Sequence, residues 1–553
     1  MSDTANFFAD KTLFVTGATG YLGKVLLERV LWQLPQVRRI VLLIRPHCAS
    51  DPEAAGSLHA DRAVFGSSIF NRLRLRHGEH FDAFIRDKVT AVAGDLASPD
   101  LGLSANSLEM LGSEVDFIIN LAAEVNFQGR LDYAVRSNTQ GPHHLLKFAT
   151  RFRNPILLHV STAYVSGYRT GPIPEQALQP DVSTFDLMGI ANSDPFRTEN
   201  EIAVAQRLGE SVERESQTRA ARSEFRQSVI TQSPSARIIG GDALDDVAER
   251  NRLRWVRDVL SQEGLSRARR FGWIDTYSFT KALGEQLLLK SANGVPIIIL
   301  RPSVVESTLY QPEPGWIEGF RMSSPVLFGY GQGMLPDFPA RRDAVIDFIP
   351  ADFVVSAVLA SLTAAPHGRN PKVFQVASGW ENPLRWHQLM DYAHDYFRQL
   401  PLRGDSGPIV PHPWSYPSAR AFDAWVRRRR LTLQLAHAAC QHLDFLPFAA
   451  RRKDKLAIQR TNLKQLESIT RLYAGYCGLD CRFQTDNTRQ LFRSLPNEDQ
   501  REFFFDPAAI DWVTYLREVQ LPGVRRHVLE KLRSKSCKLA AQRAVRFVPE
   551  VSS

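Results

Sequence analysis

Apolar residues come in short runs near the start of the chain. Thr12–Thr16 (TLFVT) is a β-rich run, a glycine turn follows, and residues 22–33 carry apolar side chains at helical spacing. A second run, Arg39–Ile44 (RIVLLI), comes next, so the opening predicts a βαβ unit. Further runs at Val89–Ala93, 116–121, Ile156–Val160 and 296–300 read as strands, with helical periodicity between several of them, notably over 131–152. Strands alternating with helices predict a parallel sheet covered on both faces. The expected fold class is α/β, a Rossmann-like doubly wound sheet.

Two stretches break this pattern. From about residue 185 to 270 the sequence is rich in Glu, Arg, Gln and Ser with scattered apolar positions, which predicts a helical insertion. After residue 385 the strand signals fade, and five prolines between Pro401 and Pro417 predict a linker over 386–417. The organisation expected is a first domain over 1–385, the linker, and a helical C-terminal domain over 418–553 with a basic tail.

A chain of 553 residues is long enough for two to four domains. With 44% hydrophobic and 23% charged residues it has a globular composition, which excludes disordered and collagen-like readings. No run of about 18 apolar residues occurs, and the opening MSDTANFFADK lacks a secretory pattern, so a cytoplasmic protein is expected. The net charge of +9 is unevenly placed: after residue 400 there are 26 Lys and Arg against 15 Asp and Glu. The clusters at 427–430 and 451–453 suit a phosphorylated ligand or an anionic membrane surface, and equally a solvated helix face. They lack interleaved aromatic residues, so nucleic acid is not an expected partner. Five scattered cysteines, at 48, 440, 477, 481 and 537, make no disulfide framework. Cys477 and Cys481 have no second pair or histidine cluster beside them, so no metal is expected.

The glycine turn, TGATGYLG, places Gly17, Gly20 and Gly23 between a strand and a helix, where backbone amides can face a pyrophosphate. Thr16, Thr19, Tyr21 and Leu22 flank them. Arg45 ends the second strand where an NAD site usually offers an acidic residue, which favours the 2′-phosphate of NADPH. Asp95, with Leu96, follows the third strand and is placed either to bond the adenine amino group or to cap a turn. Ala122 follows the fourth.

Tyr277 and Lys281 lie four residues apart on a predicted helix, so one face carries both, and an ammonium beside a phenol is expected to draw its pKa down. Ser161 and Thr162 end the fifth strand, where a hydroxyl can reach a substrate carbonyl. Open α/β sheets bind ligands at the carboxyl ends of their strands, and all these residues map there. Hydride transfer to a carbonyl is the leading chemistry.

Together TGATGYLG, NLAAEVNF, STAYV, YSFTK and RPSVVES resemble extended short-chain dehydrogenases/reductases, and more narrowly the fatty acyl-CoA reductases. The resemblance extends through GWIEG and IDFIPADFVV to FDPAAIDWVTYL, which is similar to that family's C-terminal male-sterility domain. It implies NADPH-dependent reduction of a long-chain fatty acyl-CoA to a primary alcohol through the aldehyde, in two hydride transfers. By motif position it implies Tyr277 as proton donor, Lys281 as its electrostatic and ribose partner, and Thr162 with Ser161 as the groups holding the carbonyl oxygen. The alternatives are an aldehyde-forming reductase of carrier-bound acyl thioesters, a nucleotide-sugar epimerase or dehydratase, and a non-catalytic dinucleotide sensor. Animal members of the family end in a membrane-spanning segment, which the basic stretch KLRSKSCKLAAQRAVRF does not supply, and peripheral contact with anionic lipid is the expectation drawn from it.

Overall fold

The computed structural model describes residues 2–46, 59–112, 114–192, 194–232, 241–292, 294–335, 338–364, 370–404, 407–442 and 447–530. The basic tail, Cys48 and Cys537 lie outside these residues.

Seven parallel strands form the central sheet: β1 Thr12–Thr16, β2 Arg39–Ile44, β3 Val89–Ala93, β4 Phe117–Asn120, β5 Ile156–Val160, β6 Ile297–Pro302 and β7 Lys372–Val376. Their spatial order is β3-β2-β1-β4-β5-β6-β7. The chain reverses its direction of travel across the sheet at β1 and β4, the switch point where doubly wound sheets open a ligand crevice. Burial on both faces explains why the strands read as nearly continuous apolar runs, with all five residues of β1 buried. The expected doubly wound fold is therefore what forms. One strand was not anticipated: β7 (KVFQV) begins on an exposed lysine and carries a buried glutamine.

Helix α1, Tyr21–Gln33, follows the glycine turn. The segment expected to be helical over 131–152 runs from Leu131–Val135 through a π turn at Arg136–Gln140 into Gly141–Ala149. Between β5 and β6 come α2 Thr198–Ser216, α3 Arg219–Gln232, α4 Gly241–Arg270 and α5 Thr276–Lys290. Helix α6, Ala351–Thr363, packs on α1.

Residues 386–417 do not form the expected linker. Trp386–Gln399 is a helix, α7, because Trp386, Leu389, Met390, Ala393, Tyr396 and Phe397 make a stripe that is buried against the core. A two-stranded hairpin, Leu402–Gly404 with Gly407–Ile409, follows it. The proline-rich signal had masked this periodicity. Helices α8, Ala419–His442, and α9, Pro447–Cys477, pack side by side.

The late chain is joined to the sheet rather than set apart from it. Cys481–Phe483 forms a parallel pair with Gly171–Ile173. Asp499 accepts hydrogen bonds from the Thr4 amide and hydroxyl at 2.9 and 2.8 Å. Buried Glu175 accepts the Thr488 hydroxyl at 2.6 Å. Tyr515, Leu516 and Phe503 share one apolar core with Leu13, Val15 and Val358.

A fully buried ion pair joins α5 to β6. Arg301 donates Nε to both carboxylate oxygens of Glu285, at 3.0 and 3.2 Å, and Nη1 to the Gln176 carbonyl at 2.8 Å. Removing one partner from such a pair strands a charge in low dielectric. Glu285→Ala is expected to cost about 3–5 kcal/mol, and Glu285→Met with Arg301→Met much less; urea melts of both variants check this.

Candidate active site

The glycine turn fits a dinucleotide. Gly17 has φ +73°, and a Cβ there would sit 2.5 Å from the Ala122 amide nitrogen; one on Gly23 would sit 2.2 Å from the Gly17 carbonyl oxygen. Both positions therefore need glycine, one to turn the chain and the other to seat α1 against the turn. Gly20 caps α1 with no side chain across its first-turn amides, which is how a helix start is left open to a pyrophosphate. Thr19 is exposed at the tip, and Leu22 is half-buried against the core.

Two flanking side chains serve the protein itself. The Thr16 hydroxyl donates to Asn120 Oδ1 at 2.7 Å. Tyr21 turns away from the turn, donates to the Glu306 carbonyl at 2.9 Å and stacks on Trp316. Arg45 is exposed beyond β2 and bonds the Tyr133 hydroxyl. Asp95 caps its own turn, accepting from the Ala97 amide at 3.0 Å, and Leu96 is buried beneath Gly141. Ala122 donates its amide to Thr16 Oγ1 at 3.3 Å.

On the other side of the switch point, Asp275 caps α5 by accepting from the Ser278 amide at 2.8 Å, with Ser278 reciprocating in a capping box. This places Tyr277 in the first turn and Lys281 one turn on. The Tyr277 phenol lies beside the Thr162 side chain at the end of β5. Ser161 Oγ beside it is buried and has no hydrogen-bond partner, the condition of a group kept for a ligand. The structure thus brings the glycine turn, Arg45, Asp95, Leu96, Ala122, Ser161, Thr162, Tyr277 and Lys281 to one edge of the sheet.

Their electrostatics differ from the sequence expectation. Tyr277 is pushed up from the ordinary phenol value, not down, by burial and by the carboxylate of Asp275, with the Thr162 hydroxyl opposing. Lys281 does not supply the expected pull. It is fully buried, donates Nζ to the Val160 carbonyl at 2.7 Å and lies 3.3 Å from His159 Nε2. Burial lowers it to about 7, against the opposing charge of Glu285. A phenol held protonated is suited to donating a proton to an alkoxide.

Sequence reasoning missed several contributors. His159 immediately precedes the strand end. Asp275 is legible as a cap in the DTYS tetrapeptide. From α9 come Tyr476, whose hydroxyl bonds Asp275, and Tyr473; Phe127 packs among them with ring centroids 5.9 Å from Tyr277, 6.3 Å from Tyr473 and 5.4 Å from Tyr476. The C-terminal part therefore supplies one wall of the site.

A family model of the NAD-binding type, described as male sterility protein, matches residues 15–358, and a second of the same description matches 439–531. The chain is 32% identical over 541 residues to an alcohol-forming fatty acyl-CoA reductase of Simmondsia chinensis, covering 96% of this chain and 99% of that one. The chain belongs to the fatty acyl-CoA reductase family. The reductase is also 34% identical over 538 residues to the chloroplastic fatty acyl-CoA reductase 2 of Arabidopsis thaliana, covering 95% of this chain and 79% of that one. Among solved structures it shares its fold with the terminal R domain of the myxalamid pathway, at TM-score 0.54 and 18% identity over 94% of this chain and 92% of that one. The reductase domain of a nonribosomal peptide synthetase from Mycobacterium tuberculosis gives 0.52 and 18%, over 95% of each. The NAD-binding domain assigns the reductase a nicotinamide cofactor.

Tyr277→Phe keeps the ring and removes the proton. Turnover is expected to fall by about 10²-fold or more while nucleotide affinity is retained; steady-state rates and fluorescence titration of the reduced cofactor check both. Wild-type turnover in this variant would remove Tyr277 from the chemistry.

Proposed function

We propose that the reductase converts long-chain fatty acyl-CoA to primary alcohol with two NADPH. The observation that carries this reading is the Tyr277 phenol, held protonated beside Thr162 and the unpartnered Ser161 hydroxyl, at the sheet edge where the glycine turn lies. Gly17, Gly20, Gly23 and Asp95 would hold the nucleotide, Arg45 its 2′-phosphate and Lys281 its nicotinamide ribose. The bound dihydronicotinamide supplies hydride to the acyl carbon.

This chain's residues do the rest. Ser161 and Thr162 donate to the carbonyl oxygen and stabilise the negative charge that grows there. Tyr277 then gives its proton to that oxygen. The resulting hemithioacetal loses CoA as the thiol and leaves an aldehyde in contact with the same three hydroxyls. A second passage through the same positions ends with Tyr277 protonating the alkoxide of the alcohol.

Basic side chains on α8 favour CoA, with its phosphates, as the acyl carrier, and acyl carrier protein is the alternative. The same basic surface supports peripheral contact with anionic lipid by an enzyme of the cytoplasm.

Anaerobic incubation with NADPH and acyl-CoAs of about eight to twenty carbons, in which each further buried CH2 contributes about 0.8 kcal/mol, tests this reading. Two NADPH consumed per alcohol formed is the expected result. One NADPH per accumulating aldehyde would establish the thioester-reductase alternative. Arg45→Ala is expected to lower kcat/KM for NADPH about 10–100-fold with little change for NADH, as loss of a charge-assisted phosphate contact should.

A further inference from the structure

Buried polar side chains form a continuous row beneath the site. Thr16, Asn120 and His159 occupy neighbouring register positions on β1, β4 and β5, and none is more than 1% exposed. The Ala122 amide donates to Thr16 Oγ1 at 3.3 Å, so the Thr16 proton is directed to Asn120 Oδ1 at 2.7 Å. Asn120 Nδ2 then faces His159 Nδ1 at 2.9 Å, and His159 Nε2 faces Lys281 Nζ at 3.3 Å. The row runs from the residue before the glycine turn to the lysine of the catalytic helix.

The donors and acceptors fix a direction along it. Asn120 uses its oxygen for Thr16 and offers its amide protons to His159, so Nδ1 accepts and the neutral ring carries its proton on Nε2. Burial and the nearby lysine hold His159 well below its ordinary pKa, so the ring is neutral at physiological pH. An Nε2–H aimed at Nζ finds an acceptor only if Lys281 is a free amine. An ammonium instead requires the ring proton on Nδ1 and the Asn120 amide turned over, which leaves the Thr16 hydroxyl proton without its acceptor.

We propose that His159 is a positioning residue for Lys281, and that its tautomer, dictated by Asn120, makes the charge of Lys281 a property of the whole row from Thr16. The other titratable groups facing Lys281 are few. Glu285 lies one turn on, already paired with Arg301 of β6. Tyr277 lies one turn back, with Asp275 at the helix start bonded to Tyr476 of α9. The π turn packed on α5 bonds it through the uncharged Asn138 and Thr139, to Thr280 at 3.0 and 2.9 Å, while its Arg136 is exposed and pairs with Asp132. His159 is therefore, among the described residues, the ring in direct contact with Lys281 Nζ, and it can exchange donor for acceptor without changing its own charge.

This inference rests on the reading of Lys281 as a nucleotide contact, and the test separates the two. NADPH affinity, followed by fluorescence from pH 6 to 10 alongside kcat/KM, should weaken in wild type as Lys281 loses its proton near pH 7. Asn120→Asp is nearly isosteric, keeps an acceptor for Thr16 and forces the ring proton to Nδ1. The ionisation should move up by about one pH unit or more, a tenfold change in proton affinity. Because the new carboxylate also acts through space, His159→Gln is the uncharged control. Its amide oxygen accepts from an ammonium with no ring proton to relocate, and the shift should go the same way.

In Lys281→Met the ionisation should vanish. If it vanishes there but stays at the wild-type pH in both row variants, with thermal melts showing them folded, His159 is only packing and the proposal falls. If it persists in Lys281→Met, the reading of Lys281 falls with it. A wild type with no ionisation in this range overturns the proposal as well.

Discussion

Helix α5 carries Lys281, Glu285 and Gln286 into the interior with no exposed surface, and the molecule is organised around bonding those three heads. Lys281 is tied to the end of β5, Glu285 to Arg301 of β6. Gln286 donates to the Val182 carbonyl and accepts from the Asp181 amide and the Thr198 hydroxyl, each at 2.9 Å. A buried polar head without a partner costs on the order of 1–3 kcal/mol, more if charged. Three such heads on one helix therefore fix its height and rotation against two strands and the start of α2. Tyr277, one turn before Lys281, inherits that precision.

The same helix explains why two separate family segments occur in one chain. Its cap, Asp275, is bonded from outside by Tyr476, and the ring of Tyr277 shares an aromatic cluster with Phe127 and α9. A nucleotide fold alone would leave this end of α5 open to water, where a polarised carbonyl would lose the benefit of fixed dipoles. The late segment closes it. Its long helix packs over the N-terminal end of α5 through Tyr473 and Tyr476.

Much of this was legible, for identifiable reasons. Buried parallel strands advertise themselves as uninterrupted apolar runs, and glycines at 17 and 23 have a steric necessity that no neighbour can disguise. The hydroxyl pair after β5 was visible because strand ends in such sheets are where ligands sit. What escaped was decided at long range. Lys281 meets His159 across 122 positions, so a spacing argument saw only Tyr277, four residues away, and assigned the lysine to it. The direction of the phenol shift depends on burial and on Asp275, neither evident before the helix is docked. Helix α7 was obscured by prolines that follow it, and β7 by its polar residues.

The bond between Thr4 and Asp499 spans 495 positions of sequence, and the strand at Cys481–Phe483 finds its partner more than 300 residues upstream. On a ribosome emitting roughly 5–20 residues per second, Thr4 thus waits tens of seconds for its carboxylate, and the glycine turn emerges long before the wall that encloses its neighbour. The nascent chain must carry an open cleft from the completion of α5 at Lys290 until α9, Pro447–Cys477, has been made. Its exposure to proteases and chaperones is set less by the sheet than by how soon the last hundred residues arrive.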